Sequence, residues 1–222
     1  MITGEAEEEF LPEAVYERED VEAVLAARHT DAVQNRLKKG VVGLMGLGGL
    51  GSAVATALAR IGVGTLLLAD YDIVELSNLH RQYYFLDQVG LLKTKALKQN
   101  ISRINPFIRL VIIDKCLTEA MITHYFQDVD VLVECFDRPE MKAMALRVAL
   151  TSLPGVAYVG ASGVAGCGGN NLIKTKKIGD RVYLVGDGES AIGPDQVLMA
   201  PRVGIAAHHQ ANQVVRLLLG KE

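Results

Sequence analysis

Six residues, Gly46-Leu47-Gly48-Gly49-Leu50-Gly51, satisfy the pattern GxGxxG between a short apolar run and a stretch of helical periodicity. In that setting backbone amides and a helix N-terminus face an anion, and phosphate is the natural guest. Asp70 follows Gly46 by 24 residues, at the end of the next apolar run, where an acid accepts hydrogen bonds from ribose hydroxyls. Glycine loop and acid together describe a site of the kind NAD uses. The residues that follow do not. Asp70-Tyr71-Asp72-Ile73-Val74-Glu75-Leu76-Ser77-Asn78-Leu79-His80-Arg81-Gln82 is a polar block for which a dinucleotide site has no need.

The elements that must position these residues follow from the spacing of apolar side chains. Residues 41–45 form an apolar run directly before the glycines, as a buried parallel strand requires. Leu50, Val54, Leu58 and Ile61 then recur at helical spacing, with Ala53, Ala55, Ala57 and Ala59 keeping the helix slim until Gly62 and Gly64 stop it. Residues 65–69 are the second strand, which sets Asp70 at its carboxyl end, where open parallel sheets hold their ligands. A helix over residues 93–104 is halted by Asn105-Pro106, and a strand over 109–113 follows. Thr118 caps a helix running to Phe126, and residues 129–135 are a fourth strand ending at Phe136-Asp137. Pro139 begins a helix to about Ser152, and residues 156–161 are a fifth strand before a glycine-rich loop over 163–169. Residues 171–176 and 181–185 read as two further strands joined by 177–180, an antiparallel addition. After a loop-like stretch over 186–200, Pro201 opens a last helix with Val203, Ala207, Ala211, Val214, Val215 and Leu218 on its apolar side. Upstream, residues 1–11 read as a solvated acidic tail and Pro12 suits a helix first turn. Residues 13–28 have loosely helical spacing, and Thr30 or Asp31 caps a short helix ending near Lys38-Lys39-Gly40. The expected class is α/β, a Rossmann-like doubly wound sheet, parallel in its first half and mixed through antiparallel C-terminal strands. Residues 1–39 are its N-terminal tail and helices, and 40–222 form one Rossmann-like domain.

The 222 residues suit one large α/β domain, half of them hydrophobic and 22% charged. A net charge of -3 gives no broad basic field for nucleic acid. The cysteines, Cys116, Cys135 and Cys167, are odd in number and widely separated, which builds neither a disulfide framework nor a zinc clip and fits a reducing cytoplasm. The N-terminus lacks an apolar signal core, and no run approaches the roughly 20 apolar residues that span a bilayer.

GxGGLGS from Gly46, the polar block D-x-D-x-V-E-x-S-N-L-x-R-Q from Asp70, and Val89-Gly90-Leu91-Leu92-Lys93 together resemble the ThiF/MoeB/HesA family of the ubiquitin-activating-enzyme superfamily. The resemblance continues through Arg103-Ile104-Asn105-Pro106 and the helix at Met199-Ala200-Pro201, about residues 40 to 220, and is nearest to a short zinc-free ThiF. It implies an ATP-dependent adenylyltransferase that activates the C-terminal carboxylate of a ThiS-like, ubiquitin-fold sulfur carrier ending in Gly-Gly, for the thiazole of thiamine. A carboxylate with a reference pKa of about 3.5 is already ionised at neutral pH, so the nucleophile needs no general base. The obstacle is repulsion between that anion and a triphosphate, which cations and positioning remove. By resemblance Arg81 and Lys93 grip the phosphates, Asn78 helps orient them, Asp70 holds the ribose and Gly49 lets the backbone approach the nucleotide. Gly46, Gly48, Gly51, Asp72 and Ser77 complete the nucleotide-binding set, Asp72 alternatively capping the turn that follows it. Asp137 matches the acid associated with magnesium, and one carboxylate suffices beside phosphate oxygens. The family usually has Thr before this acid and Asn after it, where this chain has Phe136 and Arg138.

The paired CxxC motifs of larger relatives are missing, so no zinc is expected. Cys167, in a Gly-Cys-Gly-Gly setting, does not match the family's thiol position and reads as a small buried residue rather than a nucleophile. Relatives also borrow an arginine from a second subunit of a homodimer; Arg28 and Arg36 lie upstream, without the surrounding motif. His208-His209 point about 100° apart on a helix and read as packing or solvent contacts. His80 fills a variable motif position, and residues 174–177 read as a solvated strand end that is able to meet an acidic carrier. Three readings stand beside adenylation of a carrier: adenylation of a carboxylate on a modified tRNA base, an NAD-binding oxidoreductase, and a noncatalytic carrier-binding scaffold.

Overall fold

The computed structural model describes residues 16–193 and 196–221. The expected tail over 1–11, the Pro12 turn and the first residues of the first expected helix lie outside them. Two helices open the described chain, α1 (Arg18–His29) and α2 (Asp31–Leu37). The Thr30 hydroxyl caps the second through the Val33 amide at 3.5 Å. There follow β1 (Val41–Met45), α3 (Gly49–Arg60), β2 (Thr65–Ala69), α4 (Lys93–Ile104), β3 (Arg109–Ile113), α5 (Glu119–Phe126), β4 (Val131–Glu134), α6 (Pro139–Thr151) and β5 (Ala157–Ala161). The chain ends with β6 (Lys174–Lys177), β7 (Val182–Gly186) and α7 (Ala200–Leu218).

The seven strands form one sheet in the order β3-β2-β1-β4-β5-β7-β6. Every neighbouring pair is parallel except β6 with β7. The antiparallel pairing expected at the C-terminal end is therefore that of β6 with β7, while β7 itself runs parallel to β5. The chain passes outside as β6, turns, and comes back between β5 and β6, which leaves β6 as a sheet edge.

Strands covered on both faces must be apolar throughout, and alternate residues of each strand serve two cores. Val42, Leu44, Leu66, Leu68, Val133 and Val159 join a cluster beneath α3, α4 and α7. Met45, Leu67, Ala69, Leu132 and Tyr158 join another beneath α5 and α6. Chain connections reverse direction between β1 and β4, and the crevice outside the carboxyl ends of those strands is where such sheets bind ligands.

Candidate functional site

At the end of β1 the backbone turns through Gly46, whose φ of +86° is a left-handed value that suits glycine. A Cβ at Gly51 would lie 1.9 Å from the Gly46 carbonyl oxygen, so the first turn of α3 closes on the loop only with glycine there. Gly48 precedes the helix and no side chain caps it. The N-terminal amides of α3 are thus left for an anion.

The loop is held from outside. Asp70 accepts from the Leu47 amide at 2.6 Å through one carboxylate oxygen and from the Asp72 amide at 2.9 Å through the other. The Tyr84 hydroxyl donates to the Leu47 carbonyl at 2.7 Å. Ser52 Oγ donates to the Gly48 carbonyl at 2.7 Å and accepts from the Tyr83 amide at 3.1 Å. Burial pushes the Asp70 carboxyl upward, against the pull of Lys93 and the two amides. Burial beside Asp70 and Asp72 pushes the Tyr84 phenol well above its ordinary value, so it remains a donor.

The polar block folds over this loop. A 3-10 turn, Leu76–Asn78, is closed by Asn78 Oδ1 accepting from the Glu75 amide at 3.1 Å, while the Ser77 hydroxyl donates to Glu75 at 3.0 Å. Asn78 is buried, with Nδ2 at 3.4 Å from Ser77 Oγ. The turn delivers Arg81 to the loop, its Cγ 3.5 Å from where a Cβ on Gly49 would sit. Arg81 Nη1 lies 2.6 Å from His80 Nε2 and 3.4 Å from the Ser77 carbonyl, so His80 orients the cation. Lys93 starts α4 as a buried residue, its Nζ donating to Asp72 Oδ2 at 2.8 Å.

On the other side of the loop, the end of β4 comes within contact of Gly46, at the Cys135 carbonyl and the Phe136 ring. Asp137, one residue further, is exposed at the same rim. Its turn is set from below by Glu134, which is 1% exposed and accepts from the Phe136 amide at 2.7 Å and from Lys142 Nζ at 2.8 Å. Lys142 also donates to the Ala161 carbonyl at 3.0 Å, joining the ends of β4 and β5. Burial raises the Glu134 carboxyl, opposed by Lys142.

The structure thus gathers Gly46, Gly48, Gly49, Gly51, Asp70, Asp72, Ser77, Asn78, Arg81 and Lys93 around one loop, with Asp137 at its rim. Sequence reading missed Tyr84 and Glu134, and quoted Ser52 and Gln82 within motifs without giving them a role. A tyrosine just past the Arg-Gln pair and an acid inside an apolar strand were the available signals.

Two loops beyond β5 and β7 close the arrangement. Arg202, in the first turn of α7, donates to the Gly168 carbonyl at 2.9 Å and to Asp187 at 2.6 Å. The next residue, Val203, lies where a Cβ on Gly49 would meet it at 2.9 Å. Cys167, expected to be buried, is exposed, because its loop is held through the backbone of Gly168 and not by packing of the thiol. Cys135 is buried, and burial beside Glu134 pushes its thiol far upward. Arg36 is engaged within its own chain by the Leu219 carbonyl at 2.6 Å, and Arg28 is exposed. His208 and His209 have separate partners, the Gly204 carbonyl and the Thr175 hydroxyl. Among the described residues no group of three or more His, Cys, Asp or Glu is placed to hold a metal. A cavity of about 310 Å³ beside Leu25, Phe107 and Arg109 lies at the amino-terminal ends of β2 and β3, away from the glycine loop.

Comparison with known proteins extends these findings. The ThiF family profile matches residues 22–222. The molybdopterin-synthase adenylyltransferase of Escherichia coli is 31% identical over 198 residues, covering 84% of this chain and 76% of that protein. The adenylyltransferase and sulfurtransferase UBA4 of Candida glabrata is 31% identical over 193 residues, 84% of this chain. The chain spans only 44% of that relative's length. Among solved structures, E. coli tRNA N6-threonylcarbamoyladenosine dehydratase (TcdA) in complex with ATP superposes with a TM-score of 0.80 at 21% identity, over 91% of this chain and 95% of the other. At that identity the likeness is one of fold.

Proposed function

The chain belongs to the ThiF family, and from that premise we propose that it is an ATP-dependent adenylyltransferase acting on the C-terminal glycine carboxylate of a ThiS-like, ubiquitin-fold sulfur carrier, for thiamine thiazole formation. The observation that carries this reading is Arg81 packed beside the uncapped start of α3, with Lys93 held by Asp72, which shares the Asp70 carboxylate with the glycine loop. An ionised carboxylate needs no base to attack the α-phosphorus; it needs the charge of the triphosphate offset and the leaving pyrophosphate held. In this reading Arg81 and Lys93 supply the charge and the glycine-loop amides supply fixed donors. Asn78 Nδ2 orients a phosphate oxygen. Asp70, with lone pairs left beyond its two amide partners, accepts from the ribose. Asp72 keeps Lys93 aimed.

Asp137 fits a magnesium ion. It is exposed, makes no hydrogen bond or ion pair among the described residues, and one carboxylate with phosphate oxygens is a common magnesium set. When bound, the ion would neutralise phosphate charge. The relatives named as adenylyltransferases support the reaction class. Free cysteines and the need for ATP support a cytoplasmic setting.

A homodimer belongs to the same reading. Tyr71, Ile73, Leu76, Tyr83, Phe85, Leu86 and Val89, all between β2 and α4, are 43% to 74% exposed. A patch of that extent suits a second copy of the chain.

The test is isotope exchange of pyrophosphate into ATP, with the chain alone, with a Gly-Gly-ending carrier and with tRNA. Carrier-dependent exchange that disappears in Arg81→Ala supports the reading. Exchange that depends on tRNA would move it to a modified-base carboxylate, against which the net charge of -3 weighs. NADH binding without exchange would sink it.

A further inference from the structure

We propose that the cavity at the amino-terminal ends of β2 and β3 is a second binding site, suited to a small organic phosphate with a ring-sized apolar body. The site does not depend on the adenylating reading. Its volume, about 310 Å³, stands at the lower end of the range for small-ligand pockets. Four parts of the chain build its walls. The Gly64 amide donates to the Leu37 carbonyl at 3.1 Å and the Arg109 amide to the Gly64 carbonyl at 3.0 Å, so the end of α2 and the starts of β2 and β3 meet at one turn. The fourth part, α1, supplies Val21, Glu22 and Leu25. A Cβ on Gly62 would lie 2.7 Å from Leu25 Cδ1, so α1 packs closely on that turn.

The charge around the cavity is uneven. Arg18, Lys38, Lys39 and Arg109 line it with a single carboxylate, that of Glu22. Glu22 is taken by Lys38 at 3.1 Å and Arg18 at 3.8 Å. The side chains of Lys39 and Arg109 make no hydrogen bond or ion pair among the described residues. Cations gather where helices end, because the last carbonyls are electronegative, and Lys38 and Lys39 after α2 fit that rule. Arg18 and Arg109 do not: one opens α1, where the helix dipole disfavours a cation, and the other opens a strand. Asn105 adds a directed donor. It is 7% exposed, its Oδ1 accepts from the Phe107 amide at 3.1 Å, and its Nδ2 makes no hydrogen bond among the described residues. Guanidinium, ammonium and amide nitrogen are all donors, the complement of phosphate oxygens. Leu25, Val63 and the Phe107 ring, with the Arg18 guanidinium 5.3 Å from its centroid, leave apolar surface for the body of the ligand. The 12 residues of α3 separate this site from the glycine loop by about 18 Å.

Calorimetric titration of the full chain with 1-naphthyl phosphate, and with 1-naphthol as its neutral counterpart, tests the assignment. The phosphate should bind about tenfold or more tightly than the naphthol, and more weakly as salt is raised. Arg109→Ala and Lys39→Ala, both at exposed positions, should melt with the wild type and each lower the affinity for the phosphate about tenfold. Asn105→Asp keeps an oxygen for the Phe107 amide and sets another where the donor stood, so it should lower the affinity at least as much. Arg81→Ala, at the other end of α3, should leave it unchanged. Affinity lost in Arg81→Ala and kept in Arg109→Ala and Lys39→Ala places the anion in the nucleotide crevice and overturns the site. Equal affinity for the naphthol overturns the phosphate assignment, and no binding of naphthyl phosphate overturns the proposal outright.

Discussion

Leu47 shows how much of the site depends on single atoms. Its amide is held by Asp70 and its carbonyl by Tyr84, so the middle of the glycine loop is fixed on both sides by groups from other elements. Tyr84→Phe deletes one buried hydrogen bond and should cost about 1 kcal/mol of stability, measured by urea denaturation, while raising the KM for ATP more than it lowers kcat. Among the described residues the Arg81 side chain is bonded only to His80 and a carbonyl of its own turn. Arg81→Ala should therefore leave the melting temperature unchanged and reduce carrier-dependent exchange by about 100-fold or more, the usual effect of losing a donor to developing charge. The glycines, Asp70, Arg81 and Lys93 were legible in sequence because their spacing matches a backbone geometry that few other residues satisfy. The roles of Tyr84 and Ser52 were not, since each acts through a partner 31 to 37 positions away.

Besides Lys93 with Asp72, two partly buried ion pairs tie elements together near this site. Lys142 ties Glu134 of β4 to the end of β5. Lys142→Ala strands a buried carboxylate and should destabilise the fold by about 3 kcal/mol near neutral pH, and by less in acid, where Glu134 takes up a proton. Denaturation at two pH values reads the difference. The second pair, Arg202 with Asp187, fastens the loops after β5 and β7 to α7. Burial works to raise the Asp187 carboxyl, but the Ser190 and Glu189 amides, the Ser190 hydroxyl and Arg202 prevail and hold it at about 2, below its ordinary 3.8. A lowered folded pKa means stability that is complete above the ordinary value and lost as pH falls through the folded one. The stability gap between the wild type and Asp187→Asn should thus be full at about pH 5 and shrink toward about pH 2, as acid denaturation curves would show. Element bounds such as Lys93–Ile104 and Arg109–Ile113 were readable because Pro106 and the apolar periods punctuate them. The 3-10 turns Leu76–Asn78 and Leu86–Gln88 were not, being closed by side chains on backbone amides with no period to betray them. The return of β7 between β5 and β6 is likewise a long-range choice that local pattern leaves open.

At the scale of the whole molecule, no helix among the described residues is long and apolar enough to cross a membrane. The exposed apolar residues between β2 and α4 instead face outward beside the nucleotide crevice. Leu86, 74% exposed, is the most prominent of them. On the proposed homodimer, the wild type should sediment as a dimer at micromolar concentration and Leu86→Glu as a monomer, with little change in far-ultraviolet circular dichroism. Because that patch and the Arg81 turn share one stretch of chain, the same variant should also weaken exchange. The double fixing of Leu47 has a consequence in time as well as in energy. Glycine-rich backbone has the most conformational entropy to lose, and here that loss falls on folding rather than on encounter with the nucleotide. ATP should then arrive at a loop already in its bound form, with single-phase association kinetics and slow amide hydrogen exchange at Leu47 even in the nucleotide-free protein.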